Sequence, residues 1–245
     1  MQYATQLYTL RSLPLTERCR PVADAGFEGV EPVGLSERST DCAALGLGVP
    51  AVHVGVGVID ADPGGVVEQV QAVGTDTVVV PIVDEAAFAP TAVEGTAARL
   101  DALAGRVEAA GGRLLYHNHE FEFGSIEESE ETPFERVVAA TTRLGFELDV
   151  GWATAAGADP VSLLERFGAR IPLVHLKDVR VESDAPRGGV PVDLGAGDVD
   201  LAGVLAAAAE ADVEWVVFEH DDPAEPVRTV REAAVWLERE PSEAR

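Results

Sequence analysis

Residues 146–179, FELDVGWATAAGADPVSLLERFGARIPLVHLKDV, read as strand, helix, strand. FELDVGW (146–152) is an apolar run carrying carboxylates at alternate positions, as a half-polar strand does. DPVSLLERFGAR (159–170) opens with Asp-Pro, a capping residue followed by a first-turn proline, and continues with helical spacing. IPLVHLKDV (171–179) is again apolar, with His175 and Lys177 two residues apart. A strand, a crossover helix and a second strand is the unit from which parallel sheets are built.

The pattern extends in both directions. Further strands are expected at 3–10, 28–33, 49–56, 76–83, 113–121 and 214–221. Between them lie helical stretches with their own punctuation: LPLTERCRPVADAGF ends at Gly26, DPGGVVEQVQAVG repeats the Asp-Pro start, and PTAVEGTAARLDALAGRVEAAGG stops at a glycine pair. Eight strands alternating with eight helices in 245 residues match a (β/α)8 TIM barrel forming one domain over 1–245. A doubly wound open sheet is the alternative, but it wants a glycine-rich loop after its first strand, and YTLRSLPL supplies none. LGAGDVD (194–200) lacks the third glycine of a dinucleotide fingerprint and follows no predicted strand. GSIEESEETP (124–133) reads as an acidic surface loop.

The net charge is −25, and hydrophobic residues make up 47% of the chain. Such a surface repels phosphate backbones and anionic membranes, so neither nucleic acid nor membrane is an expected partner. The chain holds one lysine, Lys177, among 18 basic residues, the rest being arginine. Carboxylate excess with lysine loss fits a folded protein adapted to high salt, and equally a GC-rich genome. No secretory pattern or apolar run of membrane length is visible, which points to the cytoplasm. Cys19 and Cys42 fall in separate predicted helices without metal-type spacing and are expected to be reduced bystanders.

All five histidines, His53, His117, His119, His175 and His220, fall late in predicted strands, the end where such barrels carry their chemistry. Alternation groups Leu115, His117 and His119 on one face, Glu147, Asp149 and Gly151 on another, then Leu173, His175 and Lys177, then Val217, Glu219 and Asp221. Directing Val174, Leu176 and Phe218 toward the helices puts His117, Asp149, His175 and Glu219 inside, with His220 facing away. Two imidazoles and two carboxylates suit a divalent metal, or else form a buried hydrogen-bonded network.

YHNHEFEF, LDVGWATAAGADP, HLKDV and LGAGDVDLAGVL together resemble the xylose isomerase-like TIM barrels, in the sugar phosphate isomerase/epimerase group with inosose dehydratase and ketose 3-epimerases. The resemblance implies a metal held by Asp149, His175, Glu219 and a strand-five residue. Relatives often place a glutamate where this chain has His117. The two imidazoles lean the cofactor toward Mn2+, Co2+, Fe2+ or Zn2+ over Mg2+. The implied activity is proton abstraction beside the carbonyl of a sugar or polyol, giving isomerisation, epimerisation or inosose-type dehydration. Glu219 is the candidate base, with Lys177 and His119 as further catalytic groups. Lys177 is expected to neutralise developing charge or to donate a proton, and a salt bridge to Asp149 or Asp178 is its structural alternative. Candidate substrate contacts are His53, Glu31, Trp152, Glu122, Tyr8 and Gln6, with Arg11 reaching for an anionic group. A non-catalytic sugar-binding barrel is a competing reading. A three-zinc endonuclease of the related repair branch would need more ligands and a basic face. Homo-oligomerisation is left open.

Overall fold

The computed structural model describes residues 1–36, 40–124 and 131–243. Its strands are β1 (Gln2–Gln6), β2 (Gly29–Glu31), β3 (Val52–His53), β4 (Thr77–Val80), β5 (Arg113–His117), β6 (Gly145–Asp149), β7 (Leu173–Leu176), β8 (Asp178–Val181), β9 (Gly189–Val192) and β10 (Trp215–Phe218). The helices are α1 (Cys19–Ala25), α2 (Thr40–Ala44), α3 (Val56–Ala61), α4 (Pro63–Gln71), α5 (Val93–Ala109), α6 (Pro133–Ala140), α7 (Val150–Ala155), α8 (Pro160–Phe167), α9 (Leu201–Glu210) and α10 (Pro226–Glu243). Eight strands form one parallel sheet in the order β2-β1-β10-β7-β6-β5-β4-β3. Parallel bridges from Gly29 to Gly48 and from Val33 to His53 bring its two edges together. The result is a nearly closed TIM barrel.

Local chemistry fixes the helix starts. Asp62 accepts the Gly65 N–H at 2.9 Å ahead of Pro63, and Asp159 accepts the Val161 N–H at 3.0 Å ahead of Pro160. Thr132 and Glu135 form a reciprocal capping box on α6. The chain leaves α1 through Gly26, whose φ of 93° lies in the left-handed region that favours glycine.

Strand alternation divides the interior as expected. Val174, Leu176, Val216 and Phe218 pack outward into the large apolar layer beneath the helices. Ala51, Val79, Leu115 and Leu173 form a small separate plug inside the barrel. Two residues further along β3, β5 and β7, the same inward parity delivers His53, His117 and His175 instead of apolar side chains. The barrel is therefore dry at its floor and polar above it.

Two features depart from the sequence expectation. Cys19 on α1 and Cys42 on α2 are not free thiols: they form a disulfide with Cα atoms 5.2 Å apart. Twenty-three positions separate them in sequence, and only the packing of the two helices brings them together. The strand expected over 171–179 is divided: β7 ends at Leu176, and Asp178 opens the antiparallel hairpin β8–β9. Asp178, at its start, accepts N–H groups from Gly195 at 2.9 Å, Gly197 at 2.8 Å and Val199 at 3.3 Å. LGAGDVD is thus a turn wrapped around a buried carboxylate, and a β-carbon on Gly197 would collide with Asp178 Oδ1. Of the expected acidic loop, residues 125–130 lie outside the described residues. Among the described residues, no helix is long and apolar enough to cross a membrane.

Candidate metal centre and its surroundings

The ends of β5 and β6 are clasped by one side chain. Asn118 Oδ1 accepts the Asp149 N–H at 2.9 Å, while Asn118 Nδ2 donates to the Asp149 carbonyl at 3.1 Å. This amide continues the ladder one step past the strand and fixes the backbone of Asp149. The carboxylate then caps α7, Oδ1 accepting the Trp152 N–H at 2.8 Å. Oδ2 is left facing the barrel axis, 3.8 Å from His117 Nε2. Strand register sets Asp149 beside His175 and His117 beside Glu147. Glu219 follows immediately after β10 and lies 3.0 Å from His175 Nδ1.

Two overlapping sets of buried donors result: His117, Asp149, His175 and Glu219, and beneath them His53, His117, Glu147 and His175. In each set, one donor atom per residue lies within 4.8 Å of the others. The first is the set expected from the sequence. The second adds Glu147, which shares the inward parity of Asp149 but had not been singled out. Glu31 completes the lower layer. His53 Nε2 lies 2.7 Å from Glu147 Oε2 and 3.2 Å from Glu31 Oε2, and His175 Nε2 lies 2.7 Å from Glu31 Oε2 and 3.2 Å from Glu147 Oε2. Gln6 Nε2 donates to Glu31 at 3.1 Å.

Burial opposes charge on every group here, yet the neighbours decide. Against desolvation, Glu31 and Glu147 hold His53 protonated and raise it to about 10, while His175, His53 and the bond to His117 outweigh burial and the repulsion of Glu31 and lower Glu147 to about 2. Glu31 is likewise held well below its usual range against burial by His53 and His175. His175 is pulled well up by Glu147 and Glu31 in spite of its burial. His117 goes the other way: burial outweighs its bond to Glu147 and keeps it neutral. A neutral imidazole is the form that ligates a metal.

Lys177 is almost fully buried, its ammonium 3.0 Å from Asp149, 2.9 Å from Glu219 and 2.8 Å from Asp221. Burial would lower its pKa, but these three carboxylates raise it well above the ordinary value. These contacts hold the ammonium protonated, and the one to Asp149 is the salt bridge expected as its structural alternative. Glu219 is correspondingly held ionised against its burial by Lys177 and His175. Burial pushes Asp149 upward, more than Lys177 pulls it down. Asp178 is not a partner of the ammonium, being engaged with the 195–199 turn.

Other singled-out residues surround this centre at different depths. His119 packs edge-on to His117 at 5.2 Å and parallel to Phe121 at 5.7 Å between centroids. Its Nδ1 is buried without a hydrogen-bond partner. Burial, with Arg187 and Lys177 nearby, lowers it to about 3, leaving a neutral ring. Glu122 is fully buried, takes the Tyr116 hydroxyl and accepts the His119 N–H at 2.9 Å. Desolvation outweighs these bonds and raises it to about 7. Trp152 lies between two cations, with Lys177 Nζ 4.8 Å and Arg187 Cζ 3.4 Å from its ring centroid. Arg187, brought by the β8–β9 hairpin, also pairs with Glu120 at 2.7 Å. Nothing in the chain's local pattern signals Arg187, because only the hairpin carries it over Trp152. Tyr8 is exposed at the rim beneath Arg11, which is held by Asp222 at 2.9 Å. His220, turned away from the axis, receives the Asp222 N–H at 3.3 Å.

The donor chemistry fits a divalent cation. Four buried carboxylates, Glu31, Glu147, Asp149 and Glu219, face three cationic partners, Lys177 and the raised imidazoles of His53 and His175, and Glu31 Oε1 and Glu147 Oε1 have no hydrogen-bond donor. Buried carboxylates need cations, and imidazoles set among them supply the nitrogen ligands of first-row metals.

A family model described as xylose isomerase-like TIM barrel matches residues 65–240. Among curated proteins, the rhizopine catabolism protein MocC of Rhizobium meliloti is 34% identical over 118 residues, 48% of this chain and 34% of that protein. Inosose dehydratase of Geobacillus kaustophilus is 31% identical over 147 residues, 53% of this chain and 46% of that protein. The chain thus matches less than half the length of these curated relatives. A solved sugar phosphate isomerase/epimerase of Parabacteroides distasonis superposes with a TM-score of 0.77 at 18% identity, covering 96% of this chain and 93% of that one. At that identity the likeness is one of fold.

Proposed function

Because this chain belongs to the xylose isomerase-like TIM-barrel family, we propose that it is a metal-dependent isomerase or epimerase that removes a proton beside the carbonyl of a sugar or polyol-derived ketone. The observation that carries this reading is the chain Lys177–Glu219–His175, which holds an ionised carboxylate at the edge of a metal-donor set. His117, Asp149, His175 and Glu219 would hold the ion, with Mn2+, Co2+, Fe2+ or Zn2+ favoured by the two imidazoles. A divalent ion there would polarise a carbonyl oxygen and acidify the neighbouring C–H. Glu219 takes that proton. Its bond to Lys177 makes it a weak base until a substrate oxygen draws the ammonium away, so binding and activation are coupled. Lys177 then faces the negative charge that builds on the substrate oxygens. His119, whose neutral ring keeps a bare Nδ1 beside His117, is our candidate for exchanging a second proton. Tyr8, exposed beside Arg11, is a candidate for substrate contact, and Trp152, buried beneath Arg187, would meet substrate only where that arginine gives way. Gln6, Glu31, His53 and Glu122 act on substrate through the groups they orient.

A second reading, dehydration, is favoured by two observations. One is the named activity of the Geobacillus relative. The other is His117 at the end of β5, which leaves Glu219 without a matching carboxylate base across the site. The test is incubation of a ketose and inosose panel in D2O with added Zn2+ or Co2+, read by mass spectrometry and product NMR. The wild type is expected to incorporate deuterium beside the carbonyl, and Glu219→Gln to lower that rate by about 10²–10⁴-fold while keeping its fold. Exchange at the wild-type rate in Glu219→Gln removes Glu219 as the base. Loss of water in the product selects the dehydratase.

A further inference from the structure

The barrel is sealed unevenly. Each neighbouring pair in the order β2-β1-β10-β7-β6-β5-β4-β3 is joined by a parallel ladder, whereas among the described residues its two edges, β2 and β3, meet only through the isolated bridges Gly29–Gly48 and Val33–His53. β2 is three residues long and β3 two. The crossover that spans this seam carries α2, and the Cys19–Cys42 disulfide ties α2 to α1. We propose that this disulfide is a redox-sensitive clasp on the β2–β3 seam, so that its reduction releases α2 and loosens the closure of the barrel.

Three observations carry the proposal. The first is connectivity. The Cys42 carbonyl accepts the Leu45 N–H at 3.0 Å and the Leu47 N–H at 3.1 Å, so the crosslinked residue anchors the turn that leaves α2. The next residue, Gly48, makes the seam: its N–H donates to the Glu28 carbonyl at 2.9 Å, and its own carbonyl accepts the Val30 N–H at 2.9 Å. Further along, the His53 N–H donates to the Pro32 carbonyl at 3.0 Å. The second is the closeness of the contact. A β-carbon on Gly29 would stand 2.8 Å from Trp215 Cζ3, and one on Gly48 would stand 3.4 Å from Trp215 Cη2. Backbone meets backbone there, and neither glycine has a side chain to interlock with the other. The third is the difference between the two helices. α1 packs against β2 and α10, and the chain leaving it is tied to β1 by the Glu28 N–H on the Tyr3 carbonyl at 2.9 Å. α2 has five residues and cannot persist as a helix without its packing. The disulfide thus fastens a weakly held helix to a firmly held one.

The seam runs into the polar interior. Glu31 is the last residue of β2 and His53 the last of β3, and across the seam His53 Nε2 lies 3.2 Å from Glu31 Oε2. A seam that opens changes the spacing of these side chains, which is how sulfur chemistry at the barrel wall reaches the axis. In the redox step a dithiol, small or protein-borne, attacks one sulfur and the S–S bond breaks. Both cysteines end as thiols with two electrons and two protons gained, and the reductant leaves as its own disulfide. Cys19 and Cys42 are only 5% and 1% exposed, so the reductant gains access when α2 lifts. The proposal depends neither on the reaction at the axis nor on a metal bound there.

The experiment pairs thiol counting with hydrogen exchange. The chain, purified without reductant, is titrated for thiols in denaturant before and after dithiothreitol, with none and then two expected. Native-state exchange then compares the oxidised and reduced protein. On reduction the amides of Val30, Gly48 and His53 are expected to lose protection by at least about tenfold while those of β5 and β6 keep theirs. Cys42→Ala is expected to match the reduced wild type with or without dithiothreitol, and the wild-type comparison decides alone if that variant fails to fold. Free thiols in the unreduced chain overturn the proposal. Unchanged protection at the three seam amides does so too. A uniform loss across all strands also overturns it, because the disulfide would then be a general staple and not a clasp on the seam.

Discussion

At Gly151 a β-carbon would stand 2.8 Å from the Lys177 Cγ and 3.0 Å from its Cβ. The glycine therefore makes room for the stem of the lysine, whose head is fixed by three carboxylates. Gly151→Ala is expected to displace Lys177 from Asp149 and Glu219 and to lower activity at least tenfold, although residue 151 touches no proposed ligand. Wild-type activity in that variant would show that the ammonium's position is not required. Glu122 gives a prediction of opposite character. Its carboxyl is raised by burial to about 7 from an ordinary value of 4.5. The folded state therefore binds the proton more tightly, and the stability this contributes is complete below about 4.5 and lost as pH rises through about 7. The swing is on the order of 3 kcal/mol. Glu122→Gln is expected to lack that swing, so the stability difference between variant and wild type should grow from pH 4.5 to 7 in urea titrations. A constant difference across that range rejects the assignment. Both residues were visible as letters in the sequence, Gly151 by parity and Glu122 as a candidate substrate contact. What each of them does was not visible, because it depends on the side chain packed against it.

At the scale of elements, the strands and helix starts were legible because their determinants are local. Alternation along β5, β6 and β7 located the inward faces, and Asp-Pro pairs marked α4 and α8. The strand ends ran past the true boundaries, since His119 and Glu219 lie just beyond β5 and β10. The hairpin β8–β9 escaped notice for a physical reason: VRVESDAPRGGVPV is short and half exposed, so no buried face imposes a pattern on it. Its consequences are tertiary, as Arg187 over Trp152 and Asp178 within the 195–199 turn both show. Asp178→Ala removes the acceptor of three backbone N–H groups in a buried setting, and a loss of about 2–4 kcal/mol is expected. Hydrogen exchange gives the specific readout: the amides of Gly195, Gly197 and Val199 should lose protection while those of β4 and β5 keep theirs. Unchanged protection at those three amides would mean that the turn is held by something other than the carboxylate.

Across the whole molecule, the residues inside and outside the barrel answer to different electrostatics. The buried carboxylates face His53, His175, Lys177 and the proposed metal ion, so bulk salt reaches them little. The remainder of the −25 net charge lies over a surface of 10939 Å² and has few cations to pair with. Those cations are arginines, held in exposed pairs such as Arg106 with Asp60 and Arg228 with Glu232, and exposed pairs contribute little. Net charge was the plainest property of the sequence, and it predicts how the folded chain responds to ionic strength. At low salt the Debye length exceeds about 10 Å and like charges repel across the surface, which favours the expanded chain. Near 1 M it shrinks to about 3 Å and the repulsion is lost. The melting temperature is therefore expected to rise with KCl, by roughly 5–10 °C between 0.05 and 1 M if 2–3 kcal/mol of repulsion is removed. Metal retention at the barrel axis, read on the same samples, should stay constant over that range because its donors are buried. A melting temperature that is flat or falls with salt would mean that the acidic surface is not under electrostatic strain. Ions lost in step with added KCl would place the metal on exposed carboxylates instead of in the barrel.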